Sequence, residues 1–157
     1  MKITLLVIGK TTESYLNEAI QKYQARLKHY ISFEIETIAG LKNTKNLSEN
    51  QQKQKEAELL EKALKNKDHI ILLDENGKEM TSLDFSNVIE KSGHTGAKNI
   101  CFIVGGPYGF EKRIHDLANR KISLSRMTFS HQMIRLIFIE QLYRAFTILN
   151  NEPYHHQ

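Results

Sequence analysis

The sequence predicts an α/β domain in which a mainly parallel sheet is covered by helices on both faces. Two apolar runs support this prediction, because Ile3–Ile8 ends at Gly9 and Ile100–Val104 ends at Gly105. Continuous apolar runs that stop at glycine are typical of buried parallel strands. Segments with helical periodicity separate the strand-like runs, and this alternation favours βαβ units.

The N-terminal segment predicts a strand, a helix and a second strand. After the strand Ile3–Ile8, apolar and aromatic side chains recur at i, i+4, i+7 and i+11, which places them on one face of an amphipathic helix. They are Leu16, Ile20, Tyr23 and Leu27. Residues Phe33–Ile38 then alternate in the manner of a strand before Gly40.

A lysine- and asparagine-rich connection, Leu41–Leu47, leads into a largely polar helix. Ser48 and Gln51 fit a capping box, so we expect the helix to begin there and to run to about Asn66. The short apolar run Ile70–Leu73 predicts a strand that ends at Asp74.

The C-terminal half continues the same alternation of helices and strands. The predicted elements are a short helix around Leu83, Val88 and Ile89, the strand Ile100–Val104, a helix Phe110–Asn119, a short strand Lys121–Leu124 and a long helix from Ile134 to Leu149. The sequence shows no internal repeat and no long linker, so we expect residues 1–157 to form a single domain.

Composition excludes several classes of protein. The single cysteine rules out an intramolecular disulfide and favours a reducing cytoplasm. No apolar run reaches the roughly 20 residues of a membrane span, since Arg135, Glu140 and Arg144 interrupt the longest candidate. The formal net charge of +4 mildly favours an anionic partner.

The most informative local feature is the junction between Ile100–Val104 and the glycine-rich segment Gly105–Gly109. Ligands of open α/β sheets bind at the carboxyl ends of the strands. Glycines at such a place let a ligand approach bare backbone amides and carbonyls. A tight strand-to-helix turn without a ligand is the alternative explanation of this motif.

Other motifs do not support a specific chemistry. Gly9 and Lys10 are not part of a phosphate-binding loop, because Thr4 occupies the position of the required earlier glycine. The Gly105 segment does not match the dinucleotide-binding pattern. Cys101 lies in an apolar strand, where a buried and inert thiol is expected. The histidines show no spacing that predicts a metal site.

Two helices carry features that have two explanations each. Lys22, Arg26 and His29 form a basic stripe, which is either a solvated face or an RNA contact. Apolar residues cover so much of the final helix that they predict either deep core or a subunit interface. They are Ile134, Phe138, Leu142, Ala145 and Leu149, flanked by Met133, Ile137 and Phe146. Glu140 and Arg144 are spaced to form an ion pair on this helix.

Four motifs occur in a fixed order in the last third of the chain. They are Gly105-Gly106-Pro107-Tyr108-Gly109, Leu124-Ser125-x-Met127-Thr128-x-x-His131-Gln132-x-x-Arg135, Glu140-Gln141-Leu142-Tyr143-Arg144-Ala145 and Pro153-Tyr154-His155. In order, spacing and total length the chain resembles the large-subunit ribosomal RNA methyltransferase H family. The resemblance covers the whole chain, although Tyr108 departs from the small or polar residue expected at its position.

The resemblance implies a SPOUT-class fold with a C-terminal trefoil knot, a homodimer, and no metal. It also implies that S-adenosylmethionine is the methyl donor. The implied acceptor is N3 of a pseudouridine in helix 69 of 23S ribosomal RNA, within the ribosome. By position, the expected cofactor-binding residues are Leu73, Gly105, Leu124, Ser125, Arg126, Met127, Thr128 and Phe129.

Arg135, Arg144, Tyr154 and His155 are the candidate catalytic residues on the RNA side. We expect the arginines to hold phosphates or to stabilise deprotonated imide oxygens, and Tyr154 to stack on a base. His155 is either a proton acceptor or a phosphate contact.

Two other functions are compatible with this sequence. The alternatives are an RNA-binding protein of this fold without catalysis, and a SPOUT methyltransferase that acts on transfer RNA. We also expect charged replacements of Phe138 and Leu142 to break the dimer or to make the protein insoluble.

Overall fold

The computed structural model describes residues 1–156, and its centre is a sheet of five parallel strands. The strands are β1 (Lys2–Ile8), β2 (Ser32–Ile38), β3 (His69–Glu79), β4 (Asn99–Val104) and β5 (Arg120–Ser123). They stand in the order β2-β1-β4-β3-β5, and every neighbouring pair is parallel. The predicted α/β class is confirmed.

Within residues 1–156, five α-helices connect the strands and complete the fold. They are α1 (Ser14–Leu27), α2 (Glu49–Leu64), α3 (Ser82–His94), α4 (Lys112–Leu117) and α5 (Met133–Leu149). The predicted capping box begins α2, since Ser48 Oγ accepts from Gln51 N at 3.1 Å and Gln51 Oε1 accepts from Ser48 N at 2.9 Å. Thr81 and Asp84 form a second capping box at α3. Helix α4 is shorter than the predicted Phe110–Asn119.

The two faces of the sheet carry separate cores. Phe102 of β4 and Phe138 of α5 belong to the core on one face, where α1, α3 and α5 pack. Ile103 of β4 and Leu60 of α2 belong to the core on the other face, which α2 and α4 cover. Neighbouring residues of β4 thus supply opposite cores, as the period of two in a strand requires. Helices cover both faces, as the sequence predicts.

The structure corrects the predicted end of the third strand. β3 does not stop at Asp74, because Leu73 and Lys78 both pair with Ile122 and the residues between them bulge out of the sheet. Gly77 permits this β3 bulge, since a Cβ atom there would lie 2.8 Å from the Ile122 backbone. The Asp-Glu-Asn-Gly sequence has the composition of a turn, which is why the pattern predicts a strand end.

Helix α5 packs against α1 and α3, and its burial decides between the two explanations of its apolar surface in favour of deep core for Phe138 and Leu142. Phe138 and Leu142 are fully buried in the core of their own chain, so charges at these positions would disrupt the fold itself rather than a dimer contact. Met133, Ile137 and Ile148 are half-buried and share the opposite face of the helix. An interface on α5 would use this outward face.

The segment 124–132 carries the chain from β5, at one edge of the sheet, across the carboxyl ends of β3 and β4 to β1. Gln132 attaches it there, because Gln132 Oε1 accepts from Thr12 N at 3.0 Å and Gln132 Nε2 donates to Lys10 O at 3.1 Å. The start of α5 is therefore held beside the end of β1.

Candidate active site

An open cleft of about 670 Å³ lies at the carboxyl ends of β3, β4 and β5. Three segments form it: residues 73–76 of the β3 bulge, residues 104–110 after β4, and residues 124–134, which lead into α5. Open α/β sheets bind ligands at this position. The volume also lies in the range of small-molecule sites.

Seven of the eight residues expected to bind a cofactor line this cleft. They are Leu73, Gly105, Leu124, Ser125, Met127, Thr128 and Phe129. The eighth, Arg126, is directed elsewhere, because its Nε lies 3.2 Å from Glu79 Oε1 near the end of β3. The fold thus brings most of the expected residues to one place, while their binding of a cofactor stays a prediction.

The glycine loop, residues 105–109, is shaped by contacts on its protein side. A Cβ atom on Gly105 would lie 3.0 Å from the Phe110 ring, so the ring packs directly against the backbone. Gly109 has a φ of 79°, and its N–H donates to the carbonyl three residues earlier at 3.2 Å, which closes a tight turn. Tyr108 lies at the tip of this turn and is exposed, so its bulk extends at the mouth of the cleft.

The segment after β5 is held by short-range hydrogen bonds and by one contact to the β3 bulge. Ser123 Oγ donates to Ser125 O, and Met127 N donates to Ser125 Oγ, both at 2.9 Å. Thr128 Oγ1 donates to Glu75 Oε2 at 2.7 Å. Met127 nevertheless exposes 78% of its surface, so this side chain is free to move over a ligand.

Sequence reasoning missed several polar residues of the cleft. Asp74, Glu75 and Asn76 enter it from the β3 bulge, where Asn76 N donates to Asp74 Oδ1 at 2.9 Å. Lys53 of α2 and His115 of α4 also line the cleft. The turn-like composition of the bulge is a local pattern that indicates polar residues beside the end of a strand. The positions of Lys53 and His115 depend on how two helices pack, which no local pattern reveals.

A second set of candidate residues forms a hydrogen-bonded cluster at the C-terminal end of α5. This tail cluster consists of Glu140, Arg144, Tyr154 and His155. Arg144 Nη2 donates to Glu140 Oε1 at 2.6 Å, as the helical spacing predicts, and Tyr154 OH donates to the same oxygen at 2.9 Å. The Arg144 guanidinium also lies over the Tyr154 ring, 4.8 Å from its centroid. Three of the four candidate catalytic residues therefore meet here.

The contact with Arg144 determines the tautomer of His155. Arg144 Nη1 lies 3.2 Å from His155 Nδ1. A guanidinium only donates hydrogen bonds, so Nδ1 accepts and the ring proton is on Nε2. His155 Nε2 is buried and has no hydrogen-bond partner among residues 1–156. In this arrangement Nε2 is a buried N–H donor that these residues leave unsatisfied.

Aromatic residues pack around the tail cluster and join the C-terminal segment to the turn after α1. Tyr30 OH lies 2.7 Å from both carboxylate oxygens of Glu152, and this hydrogen bonding raises the pKa of Tyr30 to about 12. Tyr143 packs against the Tyr154 ring with 4.8 Å between the centroids. Burial raises the pKa of Tyr154 well above its usual value, so its hydroxyl stays a donor at neutral pH. Arg26 of the basic stripe lies over the Tyr143 ring, which places the stripe beside the cluster.

Arg135 does not belong to the tail cluster. It is only 1% exposed, and its guanidinium donates to Ile8 O, Gly9 O and Thr11 Oγ1 at distances of 2.9 to 3.0 Å. Burial lowers the pKa of Arg135, although an arginine stays charged under any condition in which proteins work. This position does not support the expected contact with RNA. Arg135 instead holds the loop after β1.

The cleft and the tail cluster lie apart within one chain. Ile134 lines the cleft, and Arg144 follows ten residues later in the same helix. With a rise of 1.5 Å per residue, ten helical residues span about 15 Å. A single chain therefore does not bring its tail cluster onto its own cleft.

The remaining candidate chemistries find no site in the described residues. Burial raises the pKa of Cys101 to about 12, so its thiol is inert at neutral pH, as the sequence predicts. Residues 1–156 contain no group of three histidine, cysteine, aspartate or glutamate side chains arranged to hold a metal ion. Among the helices of the same residues, none is long and apolar enough to cross a membrane.

Comparison with known proteins identifies the class to which this fold and cleft belong. A family profile described as predicted SPOUT methyltransferase matches residues 1–155. The solved structure of a probable methylase family protein from Haemophilus influenzae superposes with a TM-score of 0.54 at 10% identity, over 95% of this chain and 66% of that chain. At this low identity the structural likeness supports the fold alone. The profile match defines the class as SPOUT methyltransferase.

More similar relatives narrow this class to one family. A protein from Parabacteroides distasonis is 63% identical over 157 residues, and one from Phocaeicola vulgatus is 62% identical, each over 100% of both chains. A protein from Flavobacterium johnsoniae is 55% identical over the same full length. All three are named ribosomal RNA large subunit methyltransferase H. The chain therefore belongs to the ribosomal RNA large subunit methyltransferase H family.

Proposed function

We propose that this protein transfers a methyl group from S-adenosylmethionine to N3 of a pseudouridine in helix 69 of 23S ribosomal RNA, within the ribosome. The observation that carries the proposal is the full-length identity of 63% to a relative named as a large-subunit ribosomal RNA methyltransferase. The formal net charge of +4 agrees with a nucleic-acid substrate. An enzyme with this substrate is expected in the cytoplasm.

The cleft is the proposed site of the methyl donor. Its volume of about 670 Å³ suits a nucleoside that carries an amino-acid arm. Leu73, Leu124 and Ile134 offer apolar surface for the adenine ring, and Asp74 and Asn76 offer polar atoms for the ribose hydroxyls. When bound, S-adenosylmethionine supplies a methyl group that its positive sulfur makes electrophilic.

The tail cluster is the proposed contact for the target nucleotide. N3 of the base carries an imide proton, which would pass to water before or during methyl transfer, because no residue of the tail cluster is assigned as its acceptor. Arg144 holds a positive charge that would stabilise the negative charge developing on the neighbouring carbonyl oxygens. If RNA binding uncovers it, the unsatisfied Nε2–H of His155 would donate to a carbonyl or phosphate oxygen. We therefore assign His155 as a hydrogen-bond donor rather than a proton acceptor.

Two of the candidate catalytic residues are assigned positioning roles. The Tyr154 ring already contacts Arg144 and Tyr143. We therefore propose that Tyr154 holds Arg144 in position and does not stack on a base. Arg135 binds the carbonyls after β1 and thereby orients the start of α5, from which Ile134 enters the cleft. Neither residue is proposed to touch the reacting atoms.

A homodimer would bring the two separated sites together. Two α5 helices that pack antiparallel about a twofold axis place the C-terminal half of one helix against the N-terminal half of the other. The outward face of α5, with Met133, Ile137 and Ile148, is suited to this contact because it is half-buried and directed away from the core. We propose that the tail cluster of the partner subunit completes each cleft.

We also propose that the C-terminal segment is threaded as the trefoil knot of SPOUT proteins. The crossing of segment 124–132 over the ends of β3 and β4 supports this proposal, since the chain returns to β1 before α5 begins. Such a path would keep the three segments of the cleft next to one another.

Transfer of a labelled methyl group to purified RNA substrates tests the reaction. We expect label in the 23S RNA of ribosomes that lack the modification, and none in transfer RNA. Mass spectrometry should locate the label at N3 of the helix 69 pseudouridine. Label in transfer RNA alone would contradict the proposed substrate. Ribosome binding without donor binding or transfer would favour the non-catalytic alternative.

Subunit complementation tests the shared site. One variant, Arg144→Ala, damages the tail cluster. The other combines Met127→Lys with Phe129→Lys, two exposed positions, and places positive charge where a sulfonium would bind. Random mixing of the two inactive proteins should restore about a quarter of the parental activity, since half of the dimers are mixed and each has one intact site. A mixture of Arg144→Ala with His155→Ala is the control and should stay inactive. Equal inactivity of both mixtures would show that each chain builds its site alone.

A further inference from the structure

Glu56 is a buried carboxyl group on the largely polar helix α2. Its neighbours Ala57, Leu60 and Leu64 pack against the sheet, and Glu56 is buried with them, with only 5% of its surface exposed. Glu58 on the same helix is exposed. Glutamates are almost never buried to this extent without a partner, so the position of Glu56 needs an explanation.

The Glu56 carboxyl lies directly behind the glycine loop. A Cβ atom at Gly106 would lie 2.7 Å from Glu56 Oε1 and 2.8 Å from the carboxyl carbon, so a larger residue at position 106 would displace the carboxyl. The front of the same loop lines the cleft. Glu56 therefore supports this wall of the cleft from the side opposite the ligand.

One oxygen of the Glu56 carboxyl is left without a hydrogen bond. Oε1 has no hydrogen-bond partner among residues 1–156, and burial raises the pKa of Glu56. Arg113 reaches α2 from α4 but donates to Gln54 O at 2.6 Å and pairs with Glu61 and Glu111 instead. An unsatisfied buried polar group costs about 1–3 kcal/mol. Burial of Glu56 therefore does not serve the stability of the fold.

We propose that Glu56 is a positioning residue for the methyl donor: its carboxyl bonds to the backbone of the glycine loop when the cleft is occupied, and so sets the affinity for the donor. The inference rests on the proposed function of the cleft. A Cβ atom on Gly106 would lie only 2.7 Å from Glu56 Oε1, so the backbone of the loop runs beside the carboxyl and a small shift would present an amide to it. A bound donor restricts the loop from the front, and Glu56 restricts it from behind.

Calorimetric titration of the full chain with S-adenosylmethionine and S-adenosylhomocysteine tests the inference. Glu56→Leu removes the carboxyl, Glu56→Gln keeps an acceptor oxygen, and Glu58→Gln is the matched control on the exposed side of α2. We expect the leucine variant to bind about tenfold more weakly or worse, and the glutamine variant and the control to stay within about threefold of the parent. The leucine variant should unfold at the same temperature or higher, because a buried unsatisfied carboxyl is gone. A purely structural role would lower its unfolding temperature.

Parental affinity in a folded leucine variant would overturn the inference and leave the proposed function intact. Absence of binding by the parent itself would overturn the proposed function, and the inference with it.

A double-mutant cycle decides the matter if the leucine variant does not fold. Gly106→Ala should weaken binding about tenfold in the parent, because the added methyl displaces the carboxyl, but less than about threefold in a Glu56→Ala background. Equal losses in the two backgrounds would also overturn the inference.

Discussion

The cleft is built largely from loop backbone, whereas the tail cluster is an interlocked set of side chains. At the cleft, the glycine loop presents bare backbone and Met127 is largely exposed. In the tail cluster, one oxygen of Glu140 accepts from both Arg144 and Tyr154. The polar groups of the cluster are thus already oriented, while the segments around the cleft have room to close.

This difference fits the two tasks proposed for the regions. A donor site must admit and release a large ligand in every turnover, which requires segments that can move. Stabilisation of charge in a transition state is strongest when the stabilising groups are held in place beforehand. Variants of the tail cluster are therefore expected to change the rate of methylation, and variants of the cleft are expected to change the affinity for the donor.

The largest effect is expected from Arg144→Ala. Loss of the central charge of the tail cluster should lower kcat for ribosome methylation by about 100- to 1,000-fold, while the calorimetric affinity for S-adenosylhomocysteine stays within about twofold. Arg120→Ala, at an exposed position where β5 begins, is the control and should behave as the parent. An equal loss of donor affinity in Arg144→Ala would remove the distinction between the two regions.

Replacement of Arg135, the buried arginine in the first turn of α5, should act on stability. Arg135→Met leaves the Ile8 and Gly9 carbonyls without their donors, which should lower the free energy of unfolding by about 2–3 kcal/mol. Urea denaturation measures this change, with Arg120→Met as the matched control. If the Arg135→Met protein is as stable as the parent and has lost only its affinity for RNA, Arg135 contacts RNA and the structural role is wrong.

A smaller effect is expected at the open side of the cleft. Met127→Ala removes an exposed side chain that we expect to cover the donor, so the dissociation constant for S-adenosylhomocysteine should rise by about tenfold with little change in stability. Leu117→Ala, at an exposed apolar position on α4, is the control. Unchanged donor binding in Met127→Ala would mean that this side chain does not close over the cleft.

The smallest effect concerns the anchor of the tail. The Tyr30 pKa is raised from 10.0 to about 12 by Glu152, so the contribution of this contact is complete below pH 10 and is lost as the pH rises towards 12. Because the pair is exposed, Tyr30→Phe should cost only a few tenths of a kcal/mol at neutral pH. Unfolding free energies of both proteins between pH 8 and 12 should converge at the upper end. A constant difference would show that Tyr30 acts through packing alone.

Local sequence patterns predict the helices and strands well where the buried residues follow the helical or strand period. The capping box at Ser48 and the ion pair between Glu140 and Arg144 occur as predicted, because both depend on residues three or four apart. The β3 bulge was not predictable in this way, since its turn composition is overridden by pairing with β5. Arg135 presents the same problem more strongly, because its carbonyl acceptors lie 126 and 127 positions away in the chain.

By itself the sequence determined the α/β class, the alternation of strands and helices, the glycine junction and the motifs that resemble one family. Only the tertiary structure decided that Phe138 and Leu142 are core, that Arg135 is buried, and that the cleft lies apart from the tail cluster. The physical reason is the same in each case. Periodicity indicates which residues share a face of a helix or strand. The element that packs against that face depends on strand order and on the return of α5 to β1, and both bring together residues that are far apart in the chain.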